Sequence, residues 1–183
     1  MDHYIDIKIK PDAEMRENIL INKVYAKLHK ALYTMSSNKI GVSFPECKVV
    51  LGRVIRLHGR VEDLSVLQSQ NWLGGLVGYC ELGEITHVPQ SAKHRVISRK
   101  QTTMSQAKLN RLIKRGSIPE CEVKAYKAKM FSKGLDNPYV ELESGSNGNR
   151  HRRYFQFGEV MDIPVDGVFD SFGLSKSATV PWF

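Results

Sequence analysis

The stretch HYIDIKIKPDAEMRENILINKVYAKLHKALYTM, residues 3–35, changes its apolar period partway along, and that change decides the fold. Tyr4, Ile5, Ile7 and Ile9 come close to strict alternation, the pattern of a half-buried strand, and Pro11 ends it. From Asp12 onward, Leu20, Val24, Leu28, Leu32 and Met35 recur at helical spacing, with Asp12 and Glu14 suited to the positive end of a helix dipole. Working outward, IGVSFP (40–45) and RVIRLHG (53–59) predict two strands. A helix follows from near Glu62 through Leu64 and Leu67, and YCELGEITHVP (79–89) predicts another strand. The order β, α, β, β, α, β is that of a ferredoxin-like split βαβ domain. RNA-recognition motifs share this order, but their aromatic sheet signature is absent, so the sheet face is not expected to be an RNA platform.

Beyond Pro89 the sequence reads as a polar, basic linker followed by helical patterns over about 104–115 and 120–132. NPYVELESGSNGNRHRRYFQFGE (137–159) then predicts a strand, a turn-rich loop with Asn147-Gly148 as a hairpin signal, and a second strand. The expected class is α+β: a ferredoxin-like (split βαβ) domain over 1–92, and a smaller basic α/β module over 93–183 with too few apolar residues for a large core of its own. No internal repeat is visible.

Charge separates the same two regions. The chain of 183 residues carries a formal +8, but residues 93–153 hold 15 Lys and Arg against 5 Asp and Glu. Residues 1–92 hold 11 against 10, and residues 154–183 hold 1 against 4. Between Glu84 and Glu120 there are eight cations and no acid, a one-sign segment that focuses a field suited to phosphates. A solvated basic face is the alternative. No apolar run reaches the length of a membrane span and the first residues lack a secretory pattern, so the expected location is the cytoplasm. Cys47, Cys80 and Cys121 are odd in number, far apart and form no CxxC pair, which argues against a disulfide framework or a zinc ribbon.

Within 104–115, a turn of about 100° per residue puts Lys108, Arg111 and Arg115 on one side with Lys114 flanking them, and Leu109, Leu112 and Ile113 on the other. One face packs and the other is cationic, as in a helix beside an RNA groove or in an ordinary surface helix. Arg99 and Gln101 lie two apart, so in an extended segment they point the same way, and both side chains can pair with base edges; the spacing alone is common in loops. His29 falls at the border of the apolar stripe of the first helix, between Lys27 and Lys30. Such a histidine is either a bystander or, since imidazole titrates near neutrality, a base for a hydroxyl proton. The other histidines show no metal-ligand spacing, and neither a carboxylate cluster nor a GxxxxGK[ST] loop occurs.

Taken together, KLHKAL (27–32), IGVSFP (40–45), SRKQ (98–101), LESGSNG (142–148) and FGLSKSATVPWF (172–183) resemble the CRISPR repeat-processing endoribonucleases of type I-F systems. The resemblance runs from the first strand to Phe183. It implies an enzyme without a cofactor or metal that binds the stem-loop of the CRISPR repeat and cuts once at its base by 2′-hydroxyl attack, leaving a 2′,3′-cyclic phosphate and a 5′-hydroxyl. It also implies a monomer that stays on its product RNA and joins the type I-F surveillance complex. His29 matches the catalytic histidine, Ser144 the serine that positions the ribose, and Ser146 lies beside it. Arg99 and Gln101 match the pair that reads base edges, and the helix with Lys108, Arg111, Lys114 and Arg115 matches the groove helix. His151 stands where relatives can place a phenylalanine that stacks on the terminal base pair, so it either stacks there or supplies a second proton-transfer group, with Arg152 next to it in the same RNA-binding run. Phe172 stands where a tyrosine can occur, so no hydroxyl there can be essential. Other readings are a non-catalytic subunit that holds the hairpin and, in a third class, a DNA-binding accessory protein.

Overall fold

The computed structural model describes residues 1–101, 104, 106–132, 135–143 and 148–183. The first half forms β1 (His3–Ile9), α1 (Glu17–Thr34), β2 (Gly41–Ser43), β3 (Val54–Gly59), α2 (Val61–Ser69), a 3-10 helix (Gly74–Tyr79), β4 (Cys80–Leu82) and β5 (Thr86–His87). The strands make an antiparallel sheet in the order β2-β3-β1-β4, with β5 also on β1. Alternation along β1 delivers Ile5, Ile7 and Ile9 to one face, where all three are buried. Leu20, Val24, Leu28 and Leu32 cover them from α1, each contributing about 1.5–3 kcal/mol by burial. Asp12 stays outside the helix, because its carboxylate accepts the Glu14 and Met15 N–H groups in a local turn. The strand expected over 79–89 is interrupted: residues 83–85 separate β4 from β5.

The second half forms β6 (Lys93–Lys100), α3 (Gln106–Lys114), α4 (Glu120–Ser132), β7 (Tyr139–Glu143), β8 (Arg150–Met161) and β9 (Thr179–Trp182). These strands make a second antiparallel sheet, β7-β8-β6-β9. The segment expected to be a basic linker is therefore β6, an interior strand paired on both sides. Its charges do not prevent this, since only Ile97 is buried and the cations reach solvent by their long stems. The apolar residues of the second half, Ile97, Val140, Leu142, Phe155, Phe169, Leu174 and Val180, join the same buried cluster as the first sheet.

Two contacts tie the sheets together. α1 packs on both β1 and β7, and the Asn22 side-chain oxygen accepts the Glu141 N–H at 2.9 Å, satisfying an edge-strand donor. β2 meets β9 so closely that a Cβ on Gly41 would stand 2.4 Å from Val180 Cγ1. Among the described residues no helix is long and apolar enough to cross a membrane.

Candidate active site and nucleic-acid interface

Tyr25 and His29 lie one turn apart on α1 and so share a side of the helix. The buried Tyr25 hydroxyl donates to the Phe172 carbonyl at 2.8 Å, and desolvation pushes its pKa well above the ordinary phenol value, which keeps it a neutral donor. One turn on, His29 Nδ1 sits 2.9 Å from the Ser171 carbonyl oxygen. A carbonyl can only accept, so Nδ1 carries the hydrogen and the neutral ring keeps its lone pair on Nε2. Phe172 fixes the ring plane: its centroid is 3.5 Å from that of His29, at an interplanar angle of 10°. The guanidinium carbon of Arg153 lies 3.3 Å from the centre of the same phenyl ring. Two groups this near one ring centre cannot share a face, so Phe172 is held between imidazole and guanidinium.

The loop that supplies Ser171 and Phe172 is tied down at every step. The Asp170 carboxylate accepts the Phe172 and Leu174 N–H groups at 2.9 and 3.0 Å. Val42 N–H donates to the Gly173 carbonyl at 2.9 Å, and Ser175 N–H to the Ile97 carbonyl at 3.0 Å, which fastens the loop to β2 and β6. Gly173 has φ +69°, and a Cβ there would meet Val42 Cγ2 at 2.3 Å, so only glycine fits.

The second sheet presents the remaining groups by parity. Arg99 pairs with Phe155, so the two share a face, and alternation along β8 puts Arg153 and His151 on that face as well. Phe155 packs edge-on to Tyr25 at 5.5 Å, which orients this face toward α1. Arg99, Gln101 and Arg153 line a cleft of about 760 Å³ together with Ser171 and Phe172, the two residues that hold His29. The structure thus brings Arg99 and Gln101 to the histidine's own loop, and both are exposed. His151 is exposed one alternation beyond Arg153.

Arg152 points to the opposite face, where Nε donates to Glu141 at 3.0 Å and the guanidinium lies 4.4 Å from the Tyr139 ring centre. It borders a neighbouring cleft with Arg99, Lys100, Gln101, Gln106 and Tyr154, onto which the first residue of α3 opens. Along α3, Leu109 is buried while Lys108, Arg111 and Lys114, with Arg115 just after it, are exposed, so the cationic face is turned outward. Ser144 and Ser146 lie outside the described residues; the ladder on either side of their loop ends at the Glu143–Arg150 pair. Among the described residues no three His, Cys, Asp or Glu side chains converge as metal ligands would.

Sequence reading missed the grip on His29, because Ser171, Phe172 and Arg153 come from loops and strands more than 120 residues away. The only local sign of Arg153 is its place two residues before Phe155, which gives both side chains one face in an alternating strand.

Residues 4–183 match the family model described as CRISPR-associated protein (Cas_Csy4). A protein of Escherichia coli (strain UTI89 / UPEC) named CRISPR-associated endonuclease Cas6/Csy4 is 36% identical over 184 residues, covering 100% of both chains. One of the same name from Pseudomonas aeruginosa (strain UCBPP-PA14) is 36% identical over 187 residues, again covering 100% of both. Among solved structures, Thermus Thermophilus Cse3 bound to an RNA representing a pre-cleavage complex aligns over 99% of this chain and 100% of its own, with 11% identity and a TM-score of 0.36, a likeness too slight to build on. The full-length match at this identity, on a chain whose FGLS loop holds a helix histidine, shows that the protein belongs to the Cas_Csy4 family of CRISPR-associated proteins.

Proposed function

We propose that this chain is an endoribonuclease that processes CRISPR precursor RNA, cutting at the base of the repeat hairpin without a metal ion. The observation that carries the reading is the His29 imidazole with Nδ1 committed to the Ser171 carbonyl and its plane fixed on Phe172, which leaves Nε2 as an aligned base. Nε2 takes the proton of a ribose 2′-hydroxyl; the freed O2′ attacks the adjacent phosphorus, the P–O5′ bond breaks, the departing O5′ takes a proton from water, and the imidazolium returns its own to solvent. The products are a 2′,3′-cyclic phosphate and a 5′-hydroxyl. Ser144 positions the ribose with Ser146 beside it, Arg99 and Gln101 read base edges near the foot of the stem, and His151 stacks under the terminal pair.

The outward cations of α3, Lys108, Arg111, Lys114 and Arg115, take phosphates along the groove, and Arg152 adds to the field from the neighbouring cleft. The names of the relatives in E. coli and P. aeruginosa support the endonuclease class. The β2-β3-β1-β4 order supports a ferredoxin-like reading of residues 1–92, with 93–183 as the RNA-binding module. The partners in this reading are the repeat stem-loop, as precursor and as retained product, and the type I-F surveillance complex, with the free protein a cytoplasmic monomer.

A second reading, a non-catalytic subunit that holds the hairpin, is favoured by one observation: the cations of α3 face outward, and they would take phosphates whether or not His29 acts. Incubating purified protein with labelled repeat RNA in EDTA, and identifying the product ends, decides between them. A cyclic phosphate and a 5′-hydroxyl are expected; tightly bound but uncut RNA would establish the subunit reading.

A further inference from the structure

Arginines of this protein that lie beside carboxylates are bonded to them, and the one buried at the cleft is treated differently. Arg56 makes two bonds to Asp6, at 2.6 and 2.8 Å, and Arg152 is bonded to Glu141 at 3.0 Å. Arg153 is 6% exposed, yet among the described residues no carboxylate stands within ion-pair distance of it, and its Nε is a buried donor without an acceptor. A guanidinium stays charged at any working pH, and a buried charge that lacks a counter-ion is costly to the fold. Desolvation holds its pKa below the usual arginine value, Arg99 pushes the same way, and Tyr25 and Asp170 oppose. The Asp170 carboxylate is already engaged by the Phe172 and Leu174 N–H groups. Packing on Phe172 does not explain the charge either, since a methionine or leucine would cover a phenyl ring without desolvating a cation.

We propose that Arg153 is the anion ligand of the cleft it shares with Arg99, Gln101 and Phe172, and that the anion is a backbone phosphodiester of the RNA strand passing His29. This deepens, and rests on, the reading of the cleft as an RNA-cleaving site. The missing acceptor is then a non-bridging phosphate oxygen, which matches the planar donor fork of arginine and supplies the counter-charge. The stack couples the two functions: the phenyl ring that aligns His29 on one face aligns the phosphate ligand on the other.

The test uses the hairpin RNA of the host's own CRISPR repeat, with 2′-deoxyribose at the foot of the stem so that nothing is cut. Each of the four linkages there is made in turn as phosphate or as neutral methylphosphonate. With the unaltered protein, one linkage should lose about tenfold or more in affinity on neutralisation; with Arg153→Met that loss should fall below about twofold, the other linkages being unchanged. The comparison is between two RNAs on one protein, so a reduced folded fraction cancels. The same loss in both proteins at every linkage overturns the proposal. On the unaltered protein, the Arg153 Nε–H NMR signal should move on binding the phosphate RNA and stay in place with the methylphosphonate RNA at that linkage; a signal that ignores the difference also overturns it. Failure of the all-ribose hairpin to be cut removes the endonuclease reading and leaves this comparison standing, whereas cutting without the Arg153 coupling removes the phosphate ligand alone.

Discussion

His29 is useful for what it is prevented from doing: it cannot turn its ring, and it cannot offer Nδ1 as the base. In the proposed reaction, replacing it with alanine removes the proton acceptor and leaves the cationic surfaces intact. Single-turnover cleavage of the repeat hairpin is expected to fall by about 10²–10⁴ or more, while affinity for an uncuttable hairpin changes less than about twofold. Gly173→Ala attacks the same geometry from the other side. A Cβ at φ +69°, 2.3 Å from Val42 Cγ2, should cost about 2–4 kcal/mol in a urea titration, and the folded fraction should cut slowly because the Ser171 carbonyl moves. At this scale KLHKAL and the family resemblance singled out the histidine, whose role as base is the proposal above. They did not disclose the partners, since Ser171 carries no sign that its carbonyl will meet a helix 142 residues earlier.

Secondary elements were legible where one apolar period dominates. β1 and α1 were clear because Ile5, Ile7 and Ile9, then Leu20, Val24, Leu28 and Leu32, are all buried as the pattern demands. β6 was not, because Lys93, Arg95, Arg99 and Lys100 surround its single fully buried side chain, Ile97. β9 stayed hidden since it is four residues long and contains Pro181, which a strand accepts where its missing N–H is not needed. α3 was foreseen, and its function is testable as one surface: binding should weaken steeply with salt, and Arg111→Ala or Arg115→Ala should each flatten the log–log slope by about one unit. An unchanged slope in gel-shift titrations would make this face an ordinary solvated one.

At the scale of the whole molecule, one buried cluster runs through both sheets, so acid should unfold them together. His58 on β3 lies at its rim, fully buried, with Nε2 2.7 Å from Ser43 Oγ and Nδ1 lacking any partner among the described residues. Desolvation holds it well below histidine's usual 6.5, and Arg56, the N-terminal ammonium and His94 add to the effect. The unfolded chain therefore takes up a proton that the native one refuses. Stability is complete above about pH 6.5 and declines below it, by up to about 1.4 kcal/mol per pH unit, until the native pKa is reached. Denaturant midpoints measured from pH 7.5 to 4.5 should show that slope, and His58→Gln should flatten it. The sharing of this core was not foreseen, because its bridging contacts, α1 on β7 and β2 on β9, join segments more than 100 residues apart and leave no periodic signature in either. The long separation between His29 and the carbonyl that orients it also bears on synthesis. A ribosome delivers the imidazole early and its clamp 142 residues later, so a nascent chain carries an unaligned ring until Phe172 has emerged and docked. In the proposed reaction, translation itself thus postpones competence, and a half-made polypeptide has no aligned base with which to nick the transcripts around it.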